Sequence, residues 1–151
     1  MPRLLIVHHS PTARVRKIAD AVLAGTRHED LTGVEVIERA ALEATAADVL
    51  AADSYVFGTT ANFGYLSGAL KHFFDTTYYE TRETIAGRPF GYWIHGGHDT
   101  TGAEQAMRAI TRGYGLRLAA APLVFTGDAD APHLEAAASL GATLAAGLLE
   151  A

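Results

Sequence analysis

The segment HHSPTARVRKIADAV, residues 8–22, decides how the rest of the chain is read. The apolar run Leu4-Leu5-Ile6-Val7 precedes it, and it passes without a glycine into a helical pattern. Val15, Ile18, Ala19, Val22 and Leu23 recur at the spacing of one helix face, with Arg16, Lys17 and Asp20 between them. A short apolar strand followed by an amphipathic helix opens a βα unit. The turn between them carries Ser10 and Thr12 at a helix N-terminus, where unpaired N–H groups and the helix dipole favour an anion. A phosphate monoester fits that description. A plain N-cap by serine or threonine fits it equally well, and position alone does not separate the two.

The rest of the chain repeats the unit. A second strand is expected over Gly33 to Glu38, a short alanine-rich helix around Ala46 to Leu50, and a third strand over Ser54 to Phe57. A loop from Gly58 to Tyr65 then leads to a helix with Leu66, Ala69, Leu70, Phe73 and Phe74 inward, ending near Tyr78. Lys71 and Asp75, four residues apart on its polar side, read as a surface ion pair. Arg88 to Ile94 is a fourth strand, with Pro89 at its start where no ladder donor is needed. Ala103, Ala106, Met107 and Ile110 mark a helix that Gly113 and Gly115 end. A fifth strand spans Leu116 to Phe125, and Leu134, Ala137, Gly141, Leu144 and Leu148 mark a closing helix. Five strands alternating with helices predict an α/β fold, a doubly wound three-layer sandwich around a parallel sheet, as a single domain over residues 1–151.

Composition narrows the function. A net charge of -5 argues against a nucleic-acid binder, which needs basic patches. The absence of cysteine removes disulfides, thiolate nucleophiles and iron–sulfur clusters. No apolar stretch approaches the roughly 20 residues a membrane span needs, and no signal-peptide core follows Met1, so a cytoplasmic protein is expected.

In a sheet of this kind ligands bind beyond the carboxyl ends of the strands. The loops there read HHSPTARV (8–15), GTTANFGYLSG (58–68) and HGGHDTTG (95–102). The dinucleotide fingerprint G-x-G-x-x-G and the P-loop are both absent. The acidic residues a receiver domain needs after strands one and three are replaced by His8, His9, Gly58 and Thr59. His9, His95, His98 and Asp99 are expected to gather at this end, but His-x-x-His on a loop is a weak metal signal, so no metal site is assigned.

Ser-x-Thr after strand one, GTTANFGYLSGALKHFFD after strand three and HGGHDTTG after strand four resemble the flavodoxin-like flavoproteins, in particular the branch of NAD(P)H-dependent FMN reductases and WrbA-type quinone reductases. The resemblance covers essentially the whole chain and implies a five-stranded sheet in the order 2-1-3-4-5 with FMN as cofactor. It implies that Ser10 and Thr12, with the N–H groups of Ala13, Arg14 and Val15, surround the FMN phosphate. Thr59, Thr60, Ala61, Asn62, Phe63 and Gly64 would line one edge and face of the flavin, and His95, Gly96 and Gly97 would approach it from the other side. Small residues permit close backbone approach, and an aromatic such as Phe63 covers a ring; the alternative for Phe63 is a place in the core. The chain departs from the family pattern at Ala13, Val15 and Thr60.

Three functions follow. The first is an FMN-dependent oxidoreductase passing electrons from NAD(P)H to a quinone or other small acceptor. Tyr65, Tyr78, Tyr79 and His98 would border its nicotinamide slot, which a homodimer would help to complete. The second is a flavodoxin-type electron carrier working with a redox partner protein. The third, motivated by Ala13 and Val15, is a binding module that has lost FMN.

Overall fold

A computed structural model describes residues 1–150. Its parallel strands are β1 (Arg3–His8), β2 (Glu35–Ala40), β3 (Ser54–Asn62), β5 (Pro89–Gly96), β6 (Arg117–Leu118) and β7 (Leu123–Thr126), with β4 (Tyr65–Leu66) pairing antiparallel to β3. The sheet runs β2-β1-β3-β5, and β6 and β7 both pair with β5. Helices α1 (Ala13–Gly25) and α5 (Ala131–Glu150) pack together on one face, and α2 (Ala46–Ala51), α3 (Gly68–Ile85) and α4 (Thr101–Gly113) lie across the other. This is the expected doubly wound sandwich, with the expected strand order across its five parallel positions.

Both faces of the sheet are buried, so its strands read as continuous apolar runs. Leu4 and Ile6 join the cluster of Ile18, Val22, Trp93, Leu140 and Leu144, while Leu5 and Val7 join that of Phe57, Leu70, Phe73, Phe74 and Met107. The buried residues of α1 are Val15, Ile18, Ala19, Val22 and Leu23, the set the helical spacing predicts. Helices α1 and α5 cross at two glycines. A Cβ on Gly141 would lie 2.2 Å from the Val22 carbonyl oxygen, and one on Gly25 would lie 1.9 Å from that of Ala138.

Four expectations need correction. The second strand starts at Glu35 because Val34 closes a turn onto Leu31. The third strand runs on to Asn62 and folds back through β4, so Leu66 belongs to a strand and not to the helix. Helix α3 continues past Tyr78 to Ile85. Its second half is polar, but Thr77 and Thr81 are buried with their hydroxyls donating to the carbonyls of Phe73 (2.9 Å) and Thr77 (2.7 Å), which satisfies them within the helix. The fifth strand is broken. Phe90 pairs with Leu118 but Trp93 pairs with Leu123, so residues 119–122 bulge opposite Gly91 and Tyr92, and Pro122 has no N–H for a ladder.

Tyr114, after α4, has a buried ring whose hydroxyl donates to the Phe74 carbonyl (2.6 Å) and meets the Thr77 hydroxyl (2.8 Å). Burial pushes its phenol up to about 12. An unfolded phenol titrates near about 10, so the stabilising difference is complete below that pH and is lost as pH rises toward the folded value. Urea unfolding of the wild type should therefore show stability falling from about pH 10 upward, and Tyr114→Phe should flatten that decline. The helix crossing gives a paired test. Gly141→Ala should lose about 1–3 kcal/mol by overpacking. Gly147→Ala, on the same helix where an added Cβ meets nothing within 4 Å, should gain about 0.5–1 kcal/mol.

Candidate functional site

The carboxyl ends of β1, β3, β5 and β7 raise four loops along one edge of the sheet. In the first, His9 donates its N–H to the Gly58 carbonyl (3.0 Å), which fixes the loop to β3. Thr12 is the N-cap of α1, its hydroxyl accepting from the Val15 N–H at 3.3 Å. Val15 itself is buried against the sheet, so its amide is occupied and its side chain belongs to the core. The N–H groups of Ala13 and Arg14 lie in the first turn, where the helix offers no acceptor, and both residues are exposed. The Arg14 guanidinium stands 3.4 Å from the Asp128 carboxylate of the fourth loop.

Ser10 does not stand free. Its Oγ lies 2.7 Å from Nδ1 of His8, and Nε2 of the same ring lies 2.7 Å from Oε2 of Glu38 on β2. Arg16 of α1 reaches the same carboxylate at 3.0 Å. Burial pushes the His8 imidazole below its ordinary value, outweighing the opposite pull of Glu38. Burial works to raise Glu38, but the hydrogen bond from His8 and the Arg16 charge prevail and hold it below the usual carboxylate range. The pair is therefore a neutral imidazole against a carboxylate. The sequence gives no signal for it, because Glu38 sits on a different strand and is joined to His8 by sheet register alone.

The second loop is a hairpin. Asn62 pairs with Tyr65, leaving Phe63 and Gly64 as the turn, with φ of 51° and 77°. Two successive positive φ values are the signature of a type I′ turn, where asparagine and glycine are usual and phenylalanine is strained. The Phe63 side chain is fully exposed, at 108%, which rules out a place in the core. Helix α4 supports the turn closely: a Cβ on Gly102 would lie 1.8 Å from the Gly64 carbonyl oxygen. Ala61 is half-buried and Asn62 exposed. Thr59 points into the core, its hydroxyl accepting from the Ser67 N–H (2.9 Å) and donating to the Thr60 carbonyl (2.8 Å). The Thr60 hydroxyl is buried without a partner.

In the third loop His95 is buried and its Nε2 lies 2.7 Å from the Gly127 carbonyl, so this ring ties the fourth loop to β5. Gly96 is buried, and Gly97 is exposed with nothing within 4 Å of where a Cβ would stand. Asp99 accepts from the N–H (2.9 Å) and hydroxyl (2.6 Å) of Thr101; the latter bond chiefly lowers its pKa, and together the two start α4. Among the described residues no three histidine or acidic side chains are grouped so as to hold a metal ion; His9, His95, His98 and Asp99 stand at the carboxyl ends of β1 and β5. Tyr78 and Tyr79 lie elsewhere: α3 carries them away from this edge, and Tyr78 packs 5.1 Å from the Tyr114 ring, beyond the far end of α4.

These features fit a flat, phosphorylated ligand. Two amides without a helical acceptor and a guanidinium stand where they could take an anion at α1, the Thr60 hydroxyl is a buried polar atom without a partner, and Gly64 and Gly97 leave bare backbone beside an exposed aromatic. The fourth loop and the His8–Glu38 pair are the parts sequence reasoning missed; a glycine-aspartate turn, Gly127-Asp128, at the end of the last strand was the available signal for the loop.

Fold and loops together define a flavodoxin-like α/β domain. The chain belongs to the NADPH-dependent FMN reductase family, whose model matches residues 11–129. It is 37% identical over 75 residues to a flavodoxin of Aquifex aeolicus, covering 50% of this chain and 40% of that one. It is 28% identical over 127 residues to an NAD(P)H dehydrogenase (quinone) of Acidithiobacillus ferrooxidans, covering 67% of this chain and 62% of that one. Each match thus spans less than two thirds of the relative's own length. The crystal structure of a flavodoxin, WrbA-like protein from Agrobacterium tumefaciens superposes with a TM-score of 0.79 at 19% identity, covering 99% of both chains.

A non-glycine residue held at positive φ costs about 1–3 kcal/mol. Phe63→Asn, which suits that turn position, should therefore raise stability in urea unfolding by about 0.5–1 kcal/mol, whereas a loss would show that the exposed ring packs against the protein.

Proposed function

We propose that this chain is an FMN-dependent oxidoreductase that passes electrons from NAD(P)H to a quinone or another small acceptor. Its family and its quinone-dehydrogenase relative support the reading. The observation that carries it is Phe63, a fully exposed aromatic held at positive φ on a hairpin at the loop edge. Strain and apolar exposure at one residue are both unfavourable to the free protein, and a ring stacked on Phe63 offsets the second.

In this reading FMN supplies the chemistry by accepting a hydride from the nicotinamide and releasing the electrons to the acceptor. The chain's own residues bind and orient. The amides of Ala13 and Arg14 and the Arg14 guanidinium hold the phosphate at the positive end of α1, with Ser10 and Thr12 beside it. Thr12 keeps that helix end in place through its cap. Ala61, Asn62 and Phe63 cover one side of the ring, and the bare backbone of Gly64 and Gly97 admits its edge, with the buried Gly96 closing the pocket behind it. The Thr60 hydroxyl gains a partner at the pocket wall. Thr59 and His95 act indirectly, the first by bracing the hairpin and the second by fixing the fourth loop. Tyr65 and His98, both exposed at this edge, border the space left for the nicotinamide. No helix of the described residues is long and apolar enough to cross a membrane. A cytoplasmic location and a homodimer that would close the slot belong to this proposal.

A carrier working with a redox partner protein is the second reading, favoured by the 37% identity to a flavodoxin over half the chain. Anaerobic mixing of the FMN-loaded protein with NADH and NADPH separates the two. Bleaching of the flavin at a rate saturating in either nucleotide is expected, and bleaching by dithionite alone would leave the carrier. Apo-protein should bind FMN more tightly than FAD or riboflavin, because one phosphate meets one helix N-terminus; tighter binding of FAD would overturn the phosphate assignment. Phe63→Asn should weaken FMN binding while keeping the fold.

A further inference from the structure

The hydrogen-bond chain Arg16–Glu38–His8–Ser10 lies directly under the proposed phosphate loop, and the direction of its hydrogens decides what Ser10 offers a ligand. The Glu38 carboxylate only accepts, so Nε2 of His8 carries the hydrogen that lies between them at 2.7 Å. In a neutral imidazole Nδ1 then has a lone pair, and the 2.7 Å contact to Ser10 is a hydrogen bond donated by the Ser10 hydroxyl. The one hydrogen of Ser10 is thus turned inward, and Ser10 presents lone pairs to the helix N-terminus. A phosphate also presents only lone pairs. In this state Ser10 repels the ligand it is placed to hold.

Protonation of His8 reverses the chain. An imidazolium donates from both nitrogens, to Glu38 and to Ser10 Oγ, and the Ser10 hydrogen becomes free to point at the phosphate. The alternative, in which neutral His8 keeps its proton count and Ser10 turns away, leaves Nδ1 unpaired in a side chain only 4% exposed, which is costly. The charged groups around the ring suit a proton that comes and goes. Glu38 on β2 and Asp20 on α1 favour the imidazolium, while Arg16 on α1 and burial oppose it. The Trp93 ring of β5, 5.7 Å away, is uncharged. A bound phosphate dianion adds a further negative charge on the side of Ser10.

We propose that His8 is a proton-linked positioning residue of this site: phosphate binds together with one proton, taken from solvent onto His8, so that Ser10 accepts from the ring and its own hydrogen turns from His8 to the phosphate. The inference rests on the reading that the FMN phosphate occupies the first loop. Its consequence is an affinity for the phosphate ester that falls as pH rises through neutrality, although the ligand itself is already a dianion above about pH 7.

Calorimetric titration of apo-protein with FMN between pH 7 and 8.5, in buffers of differing ionisation enthalpy, counts the protons taken up. Wild type should take up as much as about one proton per FMN, with affinity falling by as much as about tenfold per pH unit. His8→Gln, which donates and accepts without titrating, should abolish both; Ser10→Ala should abolish them too and serves if the histidine variant fails to fold. Riboflavin, lacking the phosphate, should bind without uptake in all three proteins. Imidazole nitrogen shifts of the apo-protein, followed by NMR as inorganic phosphate is added, should move His8 from the Nε2–H tautomer to the imidazolium. FMN binding with equal proton uptake in wild type and both variants overturns the role of His8 alone. Failure of wild type to bind FMN at any pH overturns the FMN reading and this proposal with it.

Discussion

The indole of Trp93 occupies the space that a side chain at residue 58 would fill. A Cβ on Gly58 would come within 2.0 Å of that ring, so glycine at 58 is a steric condition for the largest buried side chain in the molecule. The register makes the consequence local. His8, Gly58 and Trp93 form one row across β1, β3 and β5, on the face covered by α1 and α5. Trp93 thereby joins the core of that face and at the same time forms the floor under the first loop, where His8 turns the chain toward Ser10. His8 lies buried beside the Trp93 ring, 5.7 Å away, and its burial lowers its pKa and makes its two hydrogen bonds matter. Core and site therefore share a structural member, and a substitution at Gly58 disturbs both.

Most of the framework was legible because it follows from periodicity. The strands are buried on two faces and read as apolar runs, and α1 shows its inner face without ambiguity. What escaped was set by contacts distant in sequence. The second half of α3 looks like a polar loop because its buried threonines find their partners only in the fold: carbonyls one turn back for Thr77 and Thr81, and Tyr114, 37 residues on, beside Thr77. The β3–β4 hairpin was hidden by Phe63 in a turn position that local preference gives to asparagine or glycine. The break in the last strand depends on a shift of register against β5 that no local pattern announces. In the site, residue types and loop positions were readable, but which polar groups are free was not. Ser10, Thr59 and His95 are all committed to partners, and only the folded chain shows to which.

The two sides of the site differ in how they are held. The hairpin is rigidly backed, with Gly102 of α4 pressed against Gly64 and the Ser67 amide bonded to Thr59. Its one unfavourable feature, Phe63, is thus imposed by its surroundings and not relieved by local movement, which is the condition under which backbone strain persists. The α1 side, where the phosphate is proposed to bind, is held by polar contacts that can exchange. The Arg14–Asp128 pair is exposed on both sides and weak in water, so an incoming anion competes with Asp128 for the guanidinium at small cost.

That asymmetry bears on how binding proceeds. A planar ring meets a surface that is already shaped, so recognition at the hairpin needs little reorganisation. At α1 the incoming charge meets an arginine engaged elsewhere, a serine whose hydrogen faces inward and two free amides. Only the amides are ready at first contact. In the proposed site Arg14 and Ser10 would come into play by exchanging partners, one across the loop gap and one through His8, each exchange favoured because an anion replaces a weaker or misdirected contact. Phosphate retention in that site would depend less on the number of hydroxyls in the loop, which Ala13 and Val15 reduce, than on the groups behind it, Asp128, His8, Glu38 and Arg16. A loop poor in hydroxyls need not be a loop that has lost its ligand, because the donors it lacks in its own sequence are supplied by redirecting those it has.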